Sequence, residues 1–319
     1  MENSSSWKPA YYLGLIQWNN NKPDKAKALF LKCGLEPDFY PFYLARAKLF
    51  KSSDAAAIEI DLLKAVSLAP DNWRTGLELS RFYERQKDFT KAKDIAATYF
   101  EKLPNNYYIG LNLARQLTLS GKQESCIELL TKLKVLPNEG ATDGQKIWRE
   151  SNLEIAVEAI SAKKYQKAMK FIAQSRTWPE NLGVGKPYDT DERLPDFLEL
   201  LCSKASGNLK KVNDLENSIL AISITKSYHP SGSIDLLSAW MLRNKGNETE
   251  AANLVGTMMK ENPGKTSTRW VNAIFAGDKK LADSIENESR AIKETDTIET
   301  DAKDPDFSLM LKTSKIFIF

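Results

Sequence analysis

Pro37, Pro70, Pro104 and Pro137 follow one another at intervals of 33, 34 and 33 residues. Each closes an apolar, helix-periodic stretch. Proline ends a helix because it lacks an N–H and its ring collides with the preceding turn. A period of this length marks a chain built from repeated supersecondary units stacked on one another. The first unit sets the plan as Leu13-Gly14, Ala26, Phe30, Cys33, Pro37. The third repeats it as Leu79-Ser80, Tyr83, Ala92, Ala96, Tyr99, Pro104, and the fourth as Leu113-Ala114, Leu117, Cys126, Leu130, Leu133, Pro137. The second, Leu44-Ala45, Ile58, Leu62, Ala65, Pro70, holds one extra residue in its turn near Lys51-Ser52-Ser53-Asp54. A fifth runs Ile155-Ala156, Ala159, Ala168, Ile172, Ser175, Pro179. After a less regular stretch a sixth runs Ser238-Ala239, Leu242, Ala251, Val255, Met258, Pro263.

Two antiparallel helices per unit account for this pattern. Small residues at the eighth and twentieth positions let the two backbones approach, and large apolar residues fill the seams within and between units. Polar runs such as Asn19-Asn20-Asn21-Lys22, Gln86-Lys87-Asp88 and Ser120-Gly121-Lys122 stand where a tight turn belongs. Gly121 and Gly246 suit the positive φ of a helix C-terminus. Composition agrees with helices: 15 Gly and 13 Pro in 319 residues fall below the roughly 22 and 16 of average usage. With 7 Trp, 11 Tyr and 13 Phe the chain has enough large apolar side chains to fold rather than stay disordered.

The repeats resemble the tetratricopeptide repeat, a helix–turn–helix unit of similar length. Six units in phase lie between Trp7 and Pro263, with a weaker one near 197–225. The implied fold is all-α: a right-handed tetratricopeptide-repeat superhelix, an α-solenoid of antiparallel helix pairs. The expected organisation is an N-terminal extension over 1–6, repeats one to five over 7–179 and an ordered inter-repeat loop over 180–196. Two further repeats and capping helices follow over 197–288, then a polar linker and apolar tail over 289–319. The tail, Phe307-Ser308-Leu309-Met310-Leu311 and Ile316-Phe317-Ile318-Phe319, either docks onto the array or is an exposed apolar liability. The loop Trp178 to Tyr188 is also similar to one in a bacterial family of uncharacterised proteins. These join a mutarotase-like, sugar-binding region to a C-terminal repeat array. That likeness implies an accessory role beside carbohydrate chemistry, but the sugar-binding part is absent from this chain.

Catalytic patterns are missing. The chain has no H-E-x-x-H, no G-x-S-x-G and no neighbouring Cys/His pair. Its single histidine, His229, reads as a solvated loop residue, and Cys33, Cys126 and Cys202 are too scattered for a zinc site or a disulfide framework. Cys33 and Cys126 fall at packing positions and read as core thiols. The loop Glu180 to Pro187 fails as a phosphate loop, because Glu180 replaces the first glycine and Pro187 follows Lys186 where a hydroxyl is needed. Asp189-Thr190-Asp191 fails as a calcium loop at Arg193 and Leu194, and the carboxylate pair Glu248/Glu250 reads as solvated. No enzymatic activity, cofactor or metal is therefore expected. A net charge of +3 argues against nucleic acid, and no apolar run reaches the roughly 20 residues of a membrane span. No signal peptide is recognisable at the start, which suits a cytoplasmic location, although a processed or truncated form would read the same.

One triplet recurs in phase: Leu44-Ala45-Arg46, Leu79-Ser80-Arg81 and Leu113-Ala114-Arg115. The resemblance implies that the residue after the small eighth position faces the concave groove, so Arg46, Arg81 and Arg115 would line it. Arg74 and Tyr108, two turns earlier on their helices, share that face. Trp240 occupies the groove-facing position of the sixth unit, as a ligand-stacking or a core residue. The other reading pairs each arginine with an acid of a neighbouring helix, with Glu78, Glu84 and Asp94 as candidates. The carboxylate clamp of chaperone-binding repeat proteins is not matched, since Tyr11, Leu15 and Glu78 fill its positions. Trp7, Trp73, Trp148 and Trp270 open their units and are expected to pack between repeats. The expected function is a non-enzymatic scaffold that binds a peptide or protein, of acidic character, in the groove.

Overall fold

The computed structural model describes residues 6–50, 54–137, 142–225, 232–291, 304 and 306–317. Among them only helices and turns occur, and no helix is long and apolar enough to cross a membrane. His229 and the turn residues Lys51, Ser52 and Ser53 lie outside the described residues. Contacts divide the chain into two compact units, one within Met1–Gly121 and one from Lys122 onward. The division falls in the turn of the fourth repeat.

The first unit contains α1 (Trp7–Asn19), α2 (Pro23–Leu31), α3 (Tyr40–Ala47), α4 (Ala55–Leu68), α5 (Trp73–Arg85), α6 (Phe89–Lys102) and α7 (Tyr107–Leu119). α1/α2, α3/α4 and α5/α6 pack as hairpins, and α4 on α5 and α6 on α7 extend the stack. Helix starts are written locally. Pro23 opens α2, where its missing N–H costs nothing. Asn72 and Asn106 cap α5 and α7, accepting the amides of Arg74 and Tyr108 at 3.0 and 3.1 Å.

Small residues at the eighth position do what the periodicity predicts. At Gly14 an added Cβ would lie 2.2 Å from the Phe30 ring. At the equivalent point of the third repeat, the Ser80 hydroxyl donates to the carbonyl of Ala92, the twentieth residue, at 2.9 Å. Gly121 and Gly246 adopt φ of 72° and 82°, while Asn21, Lys87 and Lys163 take the same left-handed turn without glycine.

The second unit contains α8 (Gln123–Lys132), α9 (Asp143–Ser161), α10 (Tyr165–Ser175), α11 (Arg193–Ala205), α12 (Leu209–Thr225), α13 (Asp235–Asn244), α14 (Glu248–Glu261), α15 (Thr266–Phe275), α16 (Lys279–Ala291) and α17 (Phe307–Phe317). The weak repeat near 197–225 is a complete hairpin that starts earlier, at Arg193, and the terminal pair is α15/α16. α16 runs on to Ala291, past the expected start of the polar linker at 289. The inter-repeat loop is held to α8. Its Asn181 amide donates to the carbonyls of Leu130 and Leu133 at 2.8 and 2.7 Å, and its own carbonyl accepts from Val135 at 2.8 Å. Asp191, read above against a calcium loop, belongs to an ion pair with the fully buried Arg193 at 2.6 Å; Arg193 also grips Asp235 at 2.6 Å. Glu248 of the carboxylate pair holds Arg243 at 2.8 Å, and Glu250 accepts from Asn247 at 3.5 Å. All three cysteines are buried.

Candidate functional site

The in-phase arginines have different fates. Arg46 is not on a groove. It is 5% exposed, with Nε and Nη2 donating to Asp61 at 2.8 and 2.6 Å and Nη1 donating to the Gly34 carbonyl at 2.6 Å. The structural reading holds for it, with an acid that was not among the candidates. Asp61 sits in the buried stripe Ile58, Asp61, Leu62, Ala65 of α4. A carboxylate at the core-facing spacing of a helix demands a cation, and that signal was present in the sequence.

Arg115 bridges to Glu84, one of the expected acids, at 2.6 Å, and stays partly exposed. The adjacent Gln116 donates to the other Glu84 oxygen. Arg81 is exposed and makes no ion pair among the described residues. The other two candidate acids are engaged elsewhere, Glu78 by Lys48 at 3.5 Å and Asp94 by Lys93 at 2.9 Å.

Arg74 and Tyr108 meet on Trp73. The Tyr108 ring stacks on Trp73 at 4.9 Å with 7° between planes, Tyr107 stacks on Tyr108 at 4.2 Å, and the Arg74 guanidinium lies 4.4 Å from the Trp73 ring. Tyr108 remains 47% exposed, so its outer side is a surface feature, while the half-buried Trp73 also packs against Leu77, Tyr99 and Ile109 at the seam between repeats, as its place at the start of the unit implies. On α5 the outward stripe reads Arg74, Glu78, Arg81, Arg85, spaced as one helix face. On α7 Tyr108 and Arg115 share the corresponding face, joined to α5 through Trp73 and Glu84. The first unit thus presents a cationic, aromatic face, with Lys48, Arg74 and Arg81 exposed and Arg85 and Arg115 half-buried, against Glu78 paired to Lys48 and Glu84 paired to Arg115.

Trp240, left open as a ligand-stacking or a core residue, is half-buried in the second unit against side chains of this chain. Phe317 of α17 makes edge contacts with Trp240 at 5.1 Å and with Phe197 of α11 at 4.8 Å. At the other end of α17, Phe307 meets Trp270 of α15 at 5.6 Å. Between them Leu309, Met310, Leu311, Thr313 and Ser314 are buried, and Ser308, Lys312 and Lys315 form the exposed edge.

Polar contacts fix the register of α17. Asp304 accepts the Ser233 amide at 2.7 Å and hydroxyl at 3.0 Å, Asp306 pairs with Arg149 of α9 at 2.5 Å, and Lys312 reaches Glu154 of α9. Burial holds the Asp304 carboxyl above the ordinary carboxylate range, with the Ser233 hydrogen bonds opposing. α17 therefore lies along the first helices α9, α11, α13 and α15. This explains why α9 is buried on nearly every side, Glu154 included. The apolar tail docks as far as Phe317, with Ile318 and Phe319 lying outside the described residues, and sequence alone could not say where.

Together these features define an all-α protein of stacked helix pairs of the tetratricopeptide type. Solved structures similar to it include a tetratricopeptide repeat protein from Parabacteroides merdae, at 15% identity over 87% of this chain and 98% of that one with a TM-score of 0.48. PilW, a type IV pilus biogenesis factor, matches at 14% identity over 71% and 96% with a TM-score of 0.41. PilF of Pseudomonas aeruginosa matches at 15% over 75% and 97% with a TM-score of 0.42. Likeness at this level carries no functional argument. No protein-family model and no curated protein matches the chain, so the resemblance to mutarotase-linked repeat proteins gains no support.

Proposed function

We propose that the chain is a non-enzymatic protein-interaction scaffold whose first unit binds an acidic segment of a partner protein. The observation that supports this is the outward face of α5 and α7, where the stacked Arg74, Trp73 and Tyr108 adjoin Arg81 and Arg115. Guanidinium groups grip carboxylates in two-pronged fashion, and exposed tyrosine and tryptophan supply contact area at low entropic cost. Arg46 has no part in it, because its side chain is already spent on Asp61.

A panel of fluorescein-labelled acidic, neutral and basic 15-residue peptides tests the reading. The acidic members bind the wild-type protein with an affinity that falls as salt rises. The triple substitution Arg74→Ala, Arg81→Ala and Arg115→Ala weakens them at least tenfold with little change in fold. Equal binding by both proteins at matched thermal stability would refute the role.

A further inference from the structure

We propose that the first-helix face of the second unit is a binding site for an amphipathic helix of a partner protein, and that α17 is its built-in, displaceable occupant. The inference is independent of the acidic-segment reading, which concerns the first unit alone.

Among the described helices, those from α9 to α16 pack as hairpin pairs, whereas α17 has no such mate. Its apolar side lies on the face formed by α9, α11, α13 and α15. An isolated helix of 11 residues is marginal in water. α17 is therefore ordered by its groove, in the manner of a peptide that folds on binding. The contacts also have the layout of recognition. Aromatic anchors stand at the two ends of the helix, aliphatic residues lie between them, and charge pairs near the leading end and on the polar edge set the register.

α17 thereby specifies the ligand. It is a short amphipathic helix with an aromatic residue at either end of its apolar face and the large apolar residues Leu309, Met310 and Leu311 between. Carboxylates precede its first turn, and a lysine on the polar edge meets Glu154. A tethered occupant acts at an effective concentration on the order of millimolar, so the intact chain resists a free competitor until its own tail is weakened.

The test uses the full-length chain and a fluorescein-labelled peptide with the sequence of residues 304–317. Wild-type protein binds the peptide weakly, and the double variant Phe307→Ala/Phe317→Ala binds it at least tenfold more tightly. A peptide carrying Lys312→Glu gains nothing from that variant. Failure of the folded double variant to take up the peptide would overturn the proposal. Should the variant lose its fold, hydrogen exchange on the wild-type chain decides instead. Amides of α17 exchanging at least a hundredfold faster than those of α9 support a displaceable occupant, and equal rates overturn it by making α17 a permanent part of the core. A concentration-dependent dimer that exchanges α17 between copies would also overturn it, because the occupant would then be a second copy.

Discussion

Replacing Arg46 by Ala separates its structural role from any role in binding. The side chain makes two charge-assisted bonds to Asp61, at 2.8 and 2.6 Å, and one to the Gly34 carbonyl at 2.6 Å. Hydrogen bonds to charged groups contribute roughly 1.5–3 kcal/mol each, so the two to Asp61 bound the loss at about 3–6 kcal/mol. Asp61 is 1% exposed and would be left as an uncompensated buried charge. Breaking such a pair from one side costs about 3–5 kcal/mol. At a urea dependence of about 2 kcal/mol per M, the transition reporting the first unit moves down by about 2 M. Urea titration followed by far-ultraviolet circular dichroism measures this.

The paired replacement Arg46→Met/Asp61→Leu sharpens the test. It removes both charges together and recovers most of the loss, since two apolar side chains of similar bulk can replace a buried ion pair without net cost. A single Arg46→Ala variant within about 1 kcal/mol of wild type would show that the buried pair carries no such weight.

Three further outcomes are expected. Gly76→Ala puts a Cβ 2.4 Å from the Tyr99 ring, and overpacking of about 1–3 kcal/mol outweighs the gain in helix propensity, so thermal unfolding falls. Gly256→Ala in α14 meets nothing within 4 Å and raises stability by up to about 1 kcal/mol in the same assay. Burial and the nearby Glu199 charge push the Cys202 thiol up to about 11. In a disulfide-exchange assay at pH 8 the native protein reacts slowly at Cys202 and the urea-unfolded protein at once. Because the folded state holds this proton more tightly, its contribution to stability is present below the ordinary thiol pKa and lost as pH rises toward 11. Rapid native labelling of Cys202 would contradict its burial.

Sequence by itself determined the hairpins. Proline spacing and small residues at fixed positions act within one unit or between adjacent ones, so a local period reveals them. Of the three acids the sequence offered as arginine partners, one, Glu84, pairs with an arginine. The fates of Arg46, Arg81 and Arg115 were another matter, because identical positions in a repeat have different neighbours. Only Arg46 meets a carboxylate on the buried stripe of the next helix, and only Arg81 is left exposed without an ion pair among the described residues. The seat of α17 was decided by tertiary structure alone. Lys312 finds Glu154 across 158 residues, and no periodicity records a contact whose partners are joined solely by the packing of the helices between them.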